Sequence, residues 1–156
     1  MLSLMMCTGM RESAVSEINI DNVNLNEFQI SGIAKGRKAM TYSFNNTTGK
    51  AITEWLAVRD EYAAEIKTDS LFISNKGERI AVNSIAKVVK KYTKKALGKE
   101  LSPHKLRAGY CTILYEKTGD IEFVRRSVGH ASSKTTQRYC VAKGTERAEA
   151  ANMIMI

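Results

Sequence analysis

The chain has only two histidines, and each stands beside residues that handle anions. In His104-Lys105-Leu106-Arg107 the histidine and the arginine are three positions apart, so a helix puts both on one face. Ser102-Pro103 just upstream is the best helix start in the chain, an N-cap residue followed by Pro at the first helical position. A helix start presents unpaired N–H groups and the positive end of the helix dipole, so a His and an Arg there can hold a phosphate or a carboxylate. Taken alone the motif is weak, because a solvated basic turn has the same composition. The second histidine, in Gly129-His130, lies 23 residues beyond Arg107, and Tyr139 follows nine residues later. Taken singly, His130 fits a hydrogen bonder between two helices and Tyr139 a half-buried aromatic. Arg11, in Thr8-Gly9-Met10-Arg11, has a helix-start setting like that of Arg107. Lys35 opens the basic run Lys35-Gly36-Arg37-Lys38, where a merely solvated hairpin tip is the plain alternative.

The elements that must position these residues follow from periodicity. Residues 1–8 are nearly all apolar and read as the end of a helix whose earlier turns are absent, so the polypeptide is expected to be a fragment. Thr8 reads as the N-cap of a helix over roughly 9–18. From Ile18 to Phe44, short β-branched and aromatic runs are separated by Asn, Asp and Gly. Phe28–Ala34 and Ala39–Phe44 read as a β-hairpin with a basic tip at 35–38, and a short strand before it would complete a three-stranded antiparallel sheet. Ile52, Trp55, Leu56 and Tyr62 mark one face of a helix over roughly 48–65. Residues 67–80 are loop and short extended structure, with Leu71-Phe72-Ile73 buried and a turn at 75–78. Val82–Leu97 is strongly amphipathic, with Ile85, Val88, Val89, Tyr92 and Leu97 inside and Lys87, Lys90, Lys91, Lys94 and Lys95 outside. Helices then run from Pro103 to about Lys117, from Asp120 to Gly129, and briefly over Thr135–Tyr139, before a tail at 144–156. The fold class is α+β, mostly helical, with the small sheet packed against the helices.

At 156 residues the chain is one domain by size, and 44% hydrophobic with 26% charged residues excludes wholesale disorder. Lysine and arginine exceed aspartate and glutamate by 24 to 16, a net charge of +8, which makes nucleic acid the leading partner class ahead of an anionic membrane surface. The three cysteines, Cys7, Cys111 and Cys140, form no C-x-x-C pair, which argues against a disulfide framework and a zinc knuckle and fits a reducing, cytoplasmic setting. The opening residues lack the basic segment of a signal peptide, and no apolar run approaches the roughly 18 residues of a membrane span.

Read together in chain order, Thr-Gly-x-Arg (8–11), a basic hairpin tip (35–38), His-x-x-Arg (104–107), Gly-His (129–130) and Tyr139 resemble the catalytic domain of the tyrosine recombinase, or phage-type integrase, family. The resemblance runs over residues 1–143, and the Ser-x-x-Thr-Thr run before Tyr139 adds to it. It implies a domain that cleaves and rejoins DNA strands through a covalent 3′-phosphotyrosine intermediate, for integration or excision of a mobile element. By resemblance Arg11 is the first arginine of the catalytic set, Lys35 the hairpin lysine (with Lys38 as its alternative), His104 the first histidine, Arg107 the second arginine, His130 the second histidine and Tyr139 the nucleophile. Residues expected against the DNA backbone are Arg37, Lys38, Lys87, Lys90, Lys91, Lys94, Lys105 and Lys134. The chain departs from the family pattern at Ala14, where a carboxylate often stands three residues after the first arginine, leaving Glu12 or Glu17 to orient Arg11. Ala108 likewise stands where a histidine is common.

The implied chemistry suits these residue types. Two arginines clamp the non-bridging oxygens of a phosphodiester with charge-assisted hydrogen bonds, where negative charge collects in the transition state. A phenol ionises near pH 10, so Tyr139 needs a base, and His104 is the candidate. Lys35 is the natural acid for the departing 5′-oxygen, and His130 adds a donor to the phosphate. The covalent link conserves the bond, so no ATP, cofactor or metal is expected. The expected partners are double-stranded DNA and further copies of the chain: a tetramer on DNA, a monomer or weak dimer free of it, with residues 144–156 as a protomer contact and no membrane. A non-catalytic DNA-binding module, a type-IB topoisomerase-like enzyme and a basic metabolic enzyme with unrelated anion sites are the alternatives. The six filled positions argue against the first, the His130–Tyr139 spacing and small size against the second, and the ordered constellation against the third.

Overall fold

The computed structural model describes residues 1–34, 38–63, 66–130, 132, 136 and 137. In chain order it comprises α1 (Leu2–Thr8), α2 (Glu12–Glu17), a 3-10 turn (Ile20–Asn22), β1 (Val23–Asn24), β2 (Gln29–Ala34), β3 (Lys38–Ser43), α3 (Asn46–Ala63), α4 (Val82–Leu97), α5 (Pro103–Thr118) and α6 (Ile121–Val128). The three strands form one antiparallel sheet in the order β1-β2-β3, with Val23 opposite Ile30, and Ile30 opposite Tyr42. The expected α+β class and three-stranded sheet are therefore present, with the hairpin strands within one residue of their expected ends.

The core lies where α1, α2, α4 and α5 meet the inner face of the sheet. Leu4, Met5, Met10, Val15, Ile18, Ile30, Leu71, Ile85 and Val89 are all essentially inaccessible to solvent. Each such side chain contributes about 1.5–3 kcal/mol relative to an exposed one. A smaller cluster, Cys111, Val124 and Val128, fastens α6 to α5.

The start of the chain differs from expectation. Thr8 does not cap a following helix. It is the last residue of α1, and its hydroxyl donates to Leu4 O (2.6 Å). Gly9 ends α1 in the left-handed conformation (φ 63°), and α2 starts only at Glu12, with extended Arg11 as its N-cap. A Cβ on Gly9 would fall 2.4 Å from Cδ1 of Tyr110, so the missing side chain also allows α5 to pass this close. Helix α3 begins at Asn46 rather than 48, because the Asn45 side chain accepts the Thr48 N–H (2.9 Å) and starts the helix earlier.

Two tyrosines assigned to the interior are outside. Tyr62 is 61% and Tyr92 50% exposed. Thr93 takes the inward place on α4: its hydroxyl donates to Val89 O (2.8 Å) and accepts the Leu101 N–H (2.9 Å). Arg59, unremarked in the sequence, is buried and ties α3 to the following loop through Ser70 O (2.9 Å) and Thr68 O. Leu71 and Phe72 are buried, as expected, whereas Ile73 is only half-buried, and a turn bridged by Ile73 and Arg79 follows. Arg79 donates to Ser16 O (2.8 Å) and Asn19 Oδ1 (2.6 Å), while the Ser16 hydroxyl donates to Ile80 O (2.6 Å). These bonds fix α2, and with it Arg11, against the segment that leads into α4.

Candidate active site

Four of the residues singled out in the sequence line one cleft. Arg11, Glu12, Ser13, Val82, Pro103, His104, Arg107 and His130 enclose a space of about 290 Å³. They come from the start of α2, the start of α4, the first turns of α5 and the turn after α6. Three helices thus place their first residues on the cleft wall. Their N–H groups and dipoles add to the charge of the arginines and make the cleft a site for an anion. His104 stands exposed at the rim, while Arg107 and His130 are buried.

Helix α5 begins as the sequence indicated: the Ser102 side chain accepts from Lys105 N and Pro103 is the first helical residue. One and a half turns on, Arg107 is 3% exposed. Its Nη1 donates to Gly9 O (2.6 Å) and its Nη2 to Val128 O (2.7 Å). Two of the five guanidinium donors are thus committed to carbonyls at the ends of α1 and α6, and the same planar group lines the cleft. The side chain expected only to bind substrate also joins the three pieces of chain that make the site.

His130 follows Gly129, which ends α6 with φ 65°. The residue is held at both ends. Its N–H donates to Arg125 O (3.0 Å), and its carbonyl accepts from Arg125 Nη1 (2.7 Å). Arg125 is in turn gripped by Glu122 through Nε (2.8 Å) and Nη2 (2.6 Å). The ring nitrogen Nδ1 lies 3.0 Å from the hydroxyl of Thr136, which is fully buried. Burial, together with the positive charges of Arg107, Arg11, His104 and Arg125, pushes His130 down to about 4, so its imidazole is neutral at pH 7.

Behind the cleft, Tyr42 of β3 is buried, which pushes its hydroxyl above the ordinary phenol value while Arg107 and Arg11 pull it back. Burial likewise pushes Tyr110 up to about 12. Neither tyrosine can ionise readily here. Sequence reasoning gave no role to Arg125 or Tyr42 and noted Thr136 only as part of the Ser-x-x-Thr-Thr run. The spacing of Glu122 and Arg125 was the only available signal for Arg125, and it reads as an ordinary surface pair. Glu12 is in the cleft wall with Oε2 buried and without a hydrogen-bond partner, whereas Glu17 is exposed at the far end of α2. Neither is ion-paired with Arg11 among the described residues.

Lys87, Lys90, Lys91 and Lys94 are exposed along one stripe of α4, and Lys105 is exposed on α5. Lys94 pairs with Glu100 (3.2 Å), and Lys91 lies 5.7 Å from the Tyr92 ring centre. Lys38 is the first residue of β3. Lys35, Arg37, Lys134 and Tyr139 lie outside the described residues, as do the tail at 144–156 and most of the short helix expected over 135–139, of which Thr136 and Gln137 are helical. Among the described residues no three His, Cys, Asp or Glu side chains gather as a metal site, and no helix is long and apolar enough to cross a membrane.

The chain is similar to known proteins over most of its length. The chain is 33% identical over 140 residues to the tyrosine recombinase XerC of Histophilus somni, matching 89% of this chain and 47% of that protein. It therefore spans about half the length of the curated relatives it matches. The crystal structure of the XerA recombinase superposes with a TM-score of 0.84 at 28% identity, covering 99% of this chain and 56% of that one. A pre-cleavage complex of the XerH site-specific recombinase bound to its difH substrate gives a TM-score of 0.78 at 26% identity, covering 99% of this chain and 46% of that one. The phage integrase family model matches residues 1–145. With a match over nearly its whole length, and with two arginines and two histidines converging on one cleft, the chain belongs to the phage integrase family.

Proposed function

We propose that this chain is the strand-cleaving and rejoining domain of a site-specific DNA recombinase, serving integration or excision of a mobile element. The observation that carries the reading is the convergence of Arg11, His104, Arg107 and His130, far apart in sequence, on a single anion-attracting cleft. In this reading the cleft takes one phosphodiester of double-stranded DNA. Arg11, Arg107 and His130 donate to its non-bridging oxygens, where charge builds in the transition state. The Tyr139 oxygen attacks phosphorus as its proton passes to the His104 imidazole. The bond from phosphorus to the 5′-oxygen breaks, and Lys35 supplies the proton to that oxygen. Reversal with a new 5′-hydroxyl rejoins the strand.

Residues 1–143 carry this chemistry, and the exposed lysines of α4 and α5 lie along the phosphate backbone. The tail at 144–156 joins neighbouring copies in a tetramer on DNA, with a monomer or weak dimer in its absence, in the cytoplasm. The test is to incubate the chain with nicked duplexes of randomised core sequence and to look for an SDS-resistant DNA adduct. Wild-type chain gives the adduct, and Tyr139→Phe, which loses a single oxygen, binds DNA but gives none. An adduct retained by Tyr139→Phe overturns the assignment.

A further inference from the structure

We propose that Thr136 is a positioning residue: its hydroxyl donates to Nδ1 of His130 and thereby holds the imidazole proton on Nε2, the nitrogen that serves the cleft. The inference rests on the recombinase reading for its consequence in catalysis, but the contact itself is independent of it. Thr136 Oγ1 and His130 Nδ1 are 3.0 Å apart, both side chains are buried, and His130 lines the cleft. A neutral imidazole carries one proton, and which nitrogen has it is set by the partner of the other. A hydroxyl can either donate or accept, so the pair has two arrangements. If Nδ1 kept the proton and donated to Thr136, Nε2 would present a lone pair to the cleft. That lone pair would face the same anion that Arg11 and Arg107 attract and would repel it. Only the arrangement with Thr136 donating leaves His130 a donor toward a phosphate oxygen.

The surroundings favour the neutral ring that this device needs. Arg107 and His104 face His130 from α5, Arg11 from the start of α2 and Arg125 from α6, and all oppose a charge on it. Glu12 is the acidic side chain of the same cleft wall. The backbone of His130 is pinned at both its N–H and its carbonyl by Arg125, and the Thr136 hydroxyl engages the ring.

The experiment uses the full chain labelled with nitrogen-15 on histidine, and reads the tautomer of His130 from two-bond proton–nitrogen correlations at pH 7. Wild-type protein shows the proton on Nε2. Thr136→Val keeps the shape but loses the hydroxyl, so the His130 tautomers mix and its titration moves up in pH, because a bond that favoured the neutral ring has gone. Thr136→Ser keeps the hydroxyl and restores both signals. In the adduct assay Thr136→Val is about tenfold slower, the effect of one hydrogen bond, and Thr136→Ser is close to wild type. A wild-type proton on Nδ1 overturns the proposal whatever the variants do. So does a valine variant whose tautomer and titration match wild type. Failure of the wild-type chain to form any adduct overturns the recombinase reading, while the tautomer measurement still decides the role of Thr136.

Discussion

Replacing Arg107 by lysine separates the structural bonds of this side chain from the phosphate-binding role proposed for it. In the native domain its guanidinium reaches Gly9 O and Val128 O at once, at 2.6 and 2.7 Å, with 3% of the residue exposed. A lysine ammonium is a compact group on a flexible stem and cannot span both carbonyls in the same plane. One carbonyl is then buried without its donor, at a cost of about 1–3 kcal/mol, and the remaining bond is less well shaped. A total loss of about 2–3 kcal/mol corresponds, for a domain of this size, to a fall in Tm of roughly 5–10 °C. Calorimetry at pH 7 measures this directly. The adduct assay, run well below the melting range so that both proteins are folded, measures the proposed role, and there the variant is slower by about a hundredfold or more. Arg11→Lys is the control. Arg11 lines the same cleft, but its side chain makes no hydrogen bond to any described residue, so its substitution slows the adduct to a similar degree and changes stability by less than about 0.5 kcal/mol. If Arg107→Lys melts with the wild type, or if Arg11→Lys melts as early as Arg107→Lys, the Arg107 guanidinium does not hold the ends of α1 and α6 together.

Two further outcomes follow from the same geometry. Gly9→Ala places a methyl group 2.4 Å from the Tyr110 ring at a left-handed φ, so it destabilises by about 2–4 kcal/mol, read as a lower urea midpoint, and Tyr110→Ala in the same chain recovers part of the loss. His130 is held down at about 4 in the folded state against an ordinary 6.5, so between those values the unfolded chain takes up a proton that the native ring refuses. Stability is therefore complete at pH 7, falls by on the order of 3 kcal/mol as the pH drops from about 6.5 to 4, and this contribution levels off below; urea midpoints of wild type and His130→Gln across that range isolate it.

The spacing of charged and helix-starting residues carried most of the site. His104 and Arg107 sit on one helix face because three residues separate them, and Ser102-Pro103 started that helix where expected. Arg11 and His130 follow glycines at helix ends, and both reach the cleft. What sequence could not disclose is where a side chain bonds after the chain has folded back on itself. Nothing near Arg107 in sequence points to Gly9 or Val128, and nothing near Thr136 distinguishes a hydroxyl that orients His130 from one that caps a turn. The errors have the same origin. A 3.6-residue period placed Tyr62 and Tyr92 inside, but both lie at the edge of their apolar stripes, where only the neighbouring element decides burial. Thr8 had the composition of an N-cap, yet the left-handed Gly9 made it the end of α1 instead. The carboxylate partner of Arg11, looked for at Glu12 or Glu17, is not supplied by either in the described residues.

The bond from Arg107 to Gly9 spans 98 residues of chain. During synthesis at roughly 5–20 residues per second, Gly9 emerges on the order of 5–20 seconds before the side chain that will hold it. A closure of that length cannot precede the sheet and helices between, because the entropy of so large a loop is recovered only when the intervening contacts are in place. Assembly order thus also decides when the cleft exists. A chain stopped before Arg107 holds 16 of the 24 basic and 11 of the 16 acidic residues, a net charge of +5, but without Arg107 and His130 it has no complete cleft. The cleft is complete only once the two distant ends of the chain have met.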